Sequence, residues 1–103
     1  MHEPQIPLDP VADLIDVLDI KATSATEFVG RTQWMPHGRV FGGQVLAQAL
    51  VAAMRTMVDE RAPHSLHSYF LRPGDIAKEI EFSVEILRDG RSFSARRVHA
   101  LQD

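Results

Sequence analysis

The stretch "RVFGGQVLAQALVAAMRTMV", Arg39 to Val58, decides the fold. Gly42 and Gly43 open a run that contains no breaker. From Gly43 to Val58 only Gln44, Gln48, Arg55 and Thr56 interrupt the apolar positions. That pattern predicts a helix over 43–58, about 20 Å long at ~1.5 Å per residue. A helix apolar nearly all round has no wet face, so protein has to surround it.

The flanking sequence supplies strands to do so. "HSLHSYFLRPGD" reads as a strand over 64–71 and a turn at Pro73, Gly74 and Asp75. "KEIEFSVEILRDG" alternates: Ile80, Phe82, Val84 and Ile86 point one way, and Glu79, Glu81, Ser83 and Glu85 the other. This predicts a half-buried antiparallel strand over 79–88. Asp89-Gly90 is a hairpin signal, and 91–102 returns as the partner strand. Phe93 and Ala95 are out of phase with Val98 and Ala100, which predicts a bulge near Arg96-Arg97.

Upstream, "TEFVGRTQWM" predicts a strand over 26–35 with Gly30 as a bulge. "DPVADLIDVLDI" predicts a helix over 10–19, with Asp9 as N-cap and Pro10 at the first helical position. Val11, Leu14, Ile15 and Leu18 form its apolar side, and Asp13, Asp16 and Asp19 its solvated face rather than a metal cage. Residues 1–9, with Pro4 and Pro7, are expected to be irregular.

The 103 residues suit one domain of α+β class. One long buried helix wrapped by a curved antiparallel sheet is the hotdog arrangement. A ferredoxin-like arrangement would require a second long amphipathic helix, and none is visible between Ser65 and Asp103. The sheet offers about four strands and ends on an open edge, so it is expected to be incomplete at its C-terminal end and to have a partner.

Composition narrows the function. A net charge of -3 gives no bulk field favouring nucleic acid or an anionic membrane. The absence of cysteine removes disulfides, thiolate metal sites and cysteine nucleophiles, and agrees with a reducing compartment. "MHEPQIPLDP" shows no signal-peptide pattern, and no apolar run approaches the about 20 residues that a membrane helix needs. A cytoplasmic domain is expected. His64 and His67, three apart on a strand, face opposite ways and cannot share a metal. His67 and Ser68 face apart likewise, and no GxSxG, P-loop or GxGxxG occurs.

Three blocks, "GRVFGGQVLAQALVAA", "HSLHSYFLRPGD" and "LRDGRSFSARRVHALQ", resemble the N-terminal half of the acyl-CoA thioesterase II family in order and spacing, over roughly residues 39–102. The resemblance implies a double-hotdog enzyme that hydrolyses fatty acyl-CoA to free fatty acid and coenzyme A, without metal or organic cofactor. It also implies that the catalytic Asp, Thr or Ser, and Gln lie in a second repeat that this sequence does not contain. The chain is therefore expected to be a fragment, a domain or a split gene product, with its own catalytic residues unknown. Gln102 resembles the internal counterpart of the catalytic Gln, with pairing across a dimer seam as its structural alternative.

For thioester chemistry the N–H groups of Gly42 and Gly43 suit an oxyanion, because a helix N-terminus leaves them unpaired and favours negative charge. Gln44 is expected to cap the entry loop and Gln48 to make an interface contact. Among Arg72, Arg88, Arg91, Arg96 and Arg97, the pair Arg96 and Arg97 is the candidate for coenzyme A phosphates. The alternative to an enzyme is a non-catalytic acyl-CoA-binding or assembly module that pairs with a second copy or half. A hydratase on the same fold would require an Asp/His dyad near the central helix, which has neither residue.

Overall fold

The computed structural model describes residues 6–103, so the first five residues of the expected irregular lead lie outside it. Helix α1 (Pro10–Leu18) is followed by strands β1 (Lys21–Ala22) and β2 (Glu27–Gly30), helix α2 (Gly42–Met54), and strands β3 (Ile80–Asp89) and β4 (Ser94–Leu101). The four strands form one antiparallel sheet in the order β1-β2-β3-β4. The protein is α+β, with α2 laid across β2, β3 and β4.

Alternation builds the core. Ile80, Phe82 and Val84 of β3 are buried, and Phe28 of β2 stands opposite Phe82. Ile20 and Ala52 complete the cluster, with Val45, Ala49, Val51 and Val98 packed against it. Each such large side chain contributes about 1.5–3 kcal/mol on burial. Ile86, expected inward, is 49% exposed because the core stops at Val84.

The register shift lies between Ile86 and Arg88, which pair with Arg96 and Ala95. The extra residue is therefore Leu87 of β3, not a residue of β4. Strand β4 keeps one phase, with Ser94, Arg96 and Val98 half-buried and Phe93 and Ala95 exposed. The hairpin closes through Gly90 N–H donating to Phe93 O (2.8 Å) and Ser94 Oγ donating to Asp89 Oδ1 (2.8 Å).

Gly30 is not a bulge. It pairs regularly with Ile80 and is buried. A Cβ placed there would lie 2.8 Å from Gln48 Nε2 and 2.8 Å from Ile20 Cγ2, so glycine serves the close approach of a buried amide. Gly30→Ala is expected to cost about 1–3 kcal/mol, the range for an overpacked core. Urea denaturation measures it, and an unchanged midpoint would refute the role given to this glycine.

Strand β2 ends at Gly30, well short of the expected residue 35. The backbone beyond it is taken by side chains of α2: Arg31 O accepts from Gln48 Nε2 (2.8 Å), and Gln33 N–H donates to Gln44 Oε1 (2.8 Å). Helix α2 ends at Met54 rather than 58, where Arg55 and Thr56 close the last turn. Residues 64–71 form no strand, and Ala62 to Pro73 are all exposed. A strand is a property of a pair, and the described residues offer this segment no neighbour to bond.

Helix α1 follows its sequence pattern only in part: Asp16 and Asp19 stay exposed as expected, but much of the apolar side is exposed too. Asp9 caps it through Ala12 N–H (3.1 Å) with Pro10 at its first position. Val17 is buried, yet Val11 (67% exposed) and Ile15 (64%) face water. The aspartate side is the one tied to the body. Arg31 holds both Asp13 and Asp16, Gln33 Nε2 donates to Asp13 Oδ2 (3.3 Å), and Arg55 meets Asp19 (2.8 Å).

The hydrogen bond from Arg31 holds the Asp13 carboxyl below the usual aspartate range, with the bond from Gln33 and the Arg31 charge adding to it against partial desolvation. A depressed folded-state pKa gives stability that is present above the unfolded value, about 3.9. That stability is lost as pH falls through the folded value. Asp13→Asn is expected to flatten the acid limb of stability below about pH 4 while leaving the neutral limb parallel to wild type. Midpoints of urea unfolding from pH 2 to 7 check it, and an unaltered acid limb would overturn it.

Candidate functional site

The N-terminus of α2 is the candidate site. Phe41 occupies the N-cap position with extended backbone and gives no side-chain cap. Gln44 N–H turns back to Phe41 O (3.1 Å) and Val45 N–H reaches the same oxygen (3.4 Å). Among the described residues, nothing accepts from the N–H groups of Gly42 and Gly43. Such a terminus carries partial positive charge and can hold an anionic oxygen.

Two aromatic rings crowd it. A Cβ on Gly42 would meet the Phe70 ring at 3.4 Å, and one on Gly43 would meet the Phe41 ring at 2.6 Å. Both rings are largely exposed, Phe41 by 56% and Phe70 by 60%. The two glycines therefore lie under movable apolar covers, not in a polar cage.

Behind this terminus Gln44 and Gln48 form a buried amide chain. Gln44 Nε2 donates to Gln48 Oε1 (2.9 Å), and Gln48 Nε2 donates to Val17 O (3.0 Å) and Arg31 O (2.8 Å). Gln44 secures the entry loop at Gln33. Gln48 is fully buried in the core and binds the end of α1 to α2, so the expected interface contact is replaced by an internal one.

The expected phosphate pair is divided. Arg96 and Arg97 are neighbours on a strand and point to opposite faces of the sheet. The Arg96 side chain is 2% exposed and saturated: its Nε donates to Thr56 Oγ1 (2.7 Å), its Nη2 to Thr56 O (3.2 Å), and its Nη1 to Arg88 O (3.2 Å). It also meets Asp89 at 2.8 Å. Hydrogen bonds from Arg96 and then Ser94 keep the Asp89 carboxyl below the usual range. Arg97 is exposed and faces Glu85 at 3.4 Å. The two guanidiniums therefore do not share one ligand.

Gln102 is a clasp. Its Oε1 accepts from Asp75 N–H (2.8 Å), and its Nε2 donates to Asp75 O (2.8 Å) and Lys78 O (3.0 Å). Both amide hydrogens and one lone pair are committed to backbone. His64 stacks edge-on with Phe93 and His67 with Tyr69. Among the described residues, no group of three His, Asp or Glu could hold a metal ion, and no helix is long and apolar enough to cross a membrane.

Sequence reasoning missed β1, too short for a periodicity, and the burial of Arg96. It also missed the Trp34 indole N–H, buried without an acceptor. The geometry leaves α2 able to hold an oxyanion but without an acid or base of its own, since 42–54 contains no Asp, Glu or His.

Comparison with known proteins bears on most of the chain. Residues 31–103 match the family described as acyl-CoA thioesterase N-terminal domain. Acyl-CoA thioesterase 2 of Haemophilus influenzae is 46% identical over 94 residues, covering 91% of this chain and 33% of the relative. Human acyl-coenzyme A thioesterase 8 is 42% identical, covering 91% and 31%. The solved tesB protein of Mycobacterium avium subspecies paratuberculosis superposes with a TM-score of 0.86 at 46% identity, over 89% of this chain and 37% of that one. The chain thus spans about a third of the length of the curated relatives it matches.

Proposed function

The chain belongs to the family of acyl-CoA thioesterase N-terminal domains, and on that premise we propose that it is the first hotdog domain, residues 1–103, of an enzyme hydrolysing fatty acyl-CoA to free fatty acid and coenzyme A. The observation that carries the reading is the uncapped N-terminus of α2 in a chain of this family. Its Gly42 and Gly43 N–H groups receive the thioester carbonyl oxygen as it gains charge. Residues outside this domain supply the base that activates water, as the family resemblance implies, and α2 itself carries none. Gln102 and Arg96 hold the fold, and Arg97 remains the exposed cation for the phosphates of coenzyme A.

The domain works joined to a second repeat or another copy. Support comes from its exposed large apolar residues, among them Tyr69 (80%) and Leu71 (89%), which a joined repeat or copy would cover. We assign the reaction to the cytoplasm, a reducing compartment with which a cysteine-free sequence is compatible.

The test is release of free coenzyme A thiol from short, medium and long acyl-CoAs. Residues 1–103 alone are expected to release none above background. A chimera joining them to the remaining two-thirds of the Haemophilus influenzae relative is expected to be active. A folded but inactive chimera would overturn the reading. Activity of the chain alone would place the base within these residues.

A further inference from the structure

We propose that the tip of the β3–β4 hairpin is a binding site for a phosphate ester of a soluble molecule, formed by Arg88, Arg91 and the backbone N–H groups of Arg91 and Ser92. The site is read from charge and geometry, and its existence does not rest on the thioesterase reading.

Charge is the first observation. Residues 88–96 contain three arginines and one aspartate, in a chain whose net charge is -3. That aspartate is already spent. Asp89 Oδ1 accepts from Ser94 Oγ (2.8 Å) and meets Arg96 (2.8 Å), and Asp89 Oδ2 accepts from Arg96 Nη2 (3.1 Å). Arg88 and Arg91 are exposed, and among the described residues neither guanidinium meets an acceptor. Each residue gives only its backbone oxygen, Arg88 O to Arg96 (3.2 Å) and Arg91 O to Arg61 (3.2 Å).

Placement is the second. The Arg88 side chain folds back over the turn instead of trailing into water: a Cβ on Gly90 would lie 3.0 Å from its Nε and 3.4 Å from its Nη2. Two unneutralised guanidiniums therefore flank one short loop, an arrangement that a bound anion relieves. Arg61 is paired with Asp59 (3.0 Å) and serves the tip as an anchor.

Backbone donors are the third. Gly90 N–H is used on Phe93 O (2.8 Å), but among the described residues the N–H groups of Arg91 and Ser92 meet no backbone acceptor. Arg61 holds Arg91 O. In a trans peptide the N–H points opposite to the C=O, so the Ser92 N–H is turned away from Arg61. Adjacent free amides beside guanidiniums suit the several acceptor oxygens of a phosphate, which charge-assisted bonds hold best.

A lipid surface is the poorer source of that phosphate. The net charge of -3 opposes an anionic bilayer, and the one large apolar residue of the loop, Phe93, is stacked against His64. Arg97 is a separate cation: it faces Glu85, and the chain between it and Ser92 spans about 16 Å at ~3.3 Å per residue.

The probe is sodium pyrophosphate, added to the isotopically labelled chain at constant ionic strength, with amide chemical shifts as readout. Saturating shifts are expected at Arg91 and Ser92, and sodium chloride in its place is expected to produce none. Arg88→Gln and Arg91→Gln are each expected to weaken binding about fivefold, and the double variant to abolish it. Both positions are exposed, so the rest of the spectrum should stay in place. Ser92→Pro removes one N–H and no charge, and is expected to weaken binding as well. Adenosine diphosphate and vesicles of phosphatidylcholine with phosphatidic acid distinguish the sources, and the nucleotide is expected to shift the same amides. Capture by the vesicles without binding of either soluble phosphate would overturn the proposal. So would equal shifts with chloride, shifts as large at Arg39 and Arg72 as at the tip, or an affinity unchanged by Ser92→Pro or by the double variant.

Discussion

Replacing Gln48 with leucine is expected to lower the unfolding free energy by about 3–5 kcal/mol, although leucine is the better residue for an apolar helix. The reason is what the amide leaves behind. Gln48 is fully buried and satisfies Val17 O, Arg31 O and Gln44 Nε2 at once. Gln48→Leu strands all three, and each orphaned buried group costs about 1–3 kcal/mol. Partial relaxation keeps the total below the sum. A domain of this size has about 5–15 kcal/mol in all, so the variant retains little margin. The urea midpoint should fall with an unchanged slope. A neutral or stabilised Gln48→Leu would mean that the amide chain contributes nothing to joining α1, the loop after β2, and α2. The Gly30→Ala and Gln48→Leu effects are also expected to be non-additive, because both act on the same amide.

Arg96→Met is expected to cost about 2–3 kcal/mol from the groups it orphans at Thr56 and Arg88, and to loosen the end of α2 from the sheet. Methionine keeps the stem volume and removes the donors. The effect should appear as a lowered midpoint together with faster amide exchange around Thr56 and the 89–94 hairpin. Arg96→Lys should recover only part of the loss, since one ammonium cannot reach Thr56 Oγ1, Thr56 O and Arg88 O in the fork geometry of the guanidinium. A variant as stable as wild type would return Arg96 to the list of cations free to meet a phosphate.

These residues mark how far the sequence could be read. A twofold alternation with charged residues on one side makes the β3–β4 hairpin legible, and the glycine pair before an unbroken apolar run makes α2 legible. Gln44 and Gln48 stood out as polar residues in an apolar helix, so the need for partners was visible. Their partners, Gln33, Val17 and Arg31, were not, because 11 to 31 residues of chain separate them. Arg96 offered no signal, since arginine on a strand reads as surface until a helix end arrives to cover it. In α1 the period correctly separated apolar from acidic sides but could not say which would face inward. Arg31 and Arg55, from distant segments, tie the aspartates to the body, while Asp16 and Asp19 stay largely exposed.

By itself the sequence determined the elements whose form depends on near neighbours: a capped first helix, an apolar second helix, a hairpin, and the blocks that place the chain in its family. Tertiary structure alone decided which polar groups are structural, which face of α1 meets water, and whether 64–71 becomes a strand. The physical reason is range. Helical and strand periodicity are set within a few residues, whereas burying an amide, a guanidinium or a strand edge depends on whatever the folded chain brings alongside. For the strand edge, residues 6–103 bring nothing.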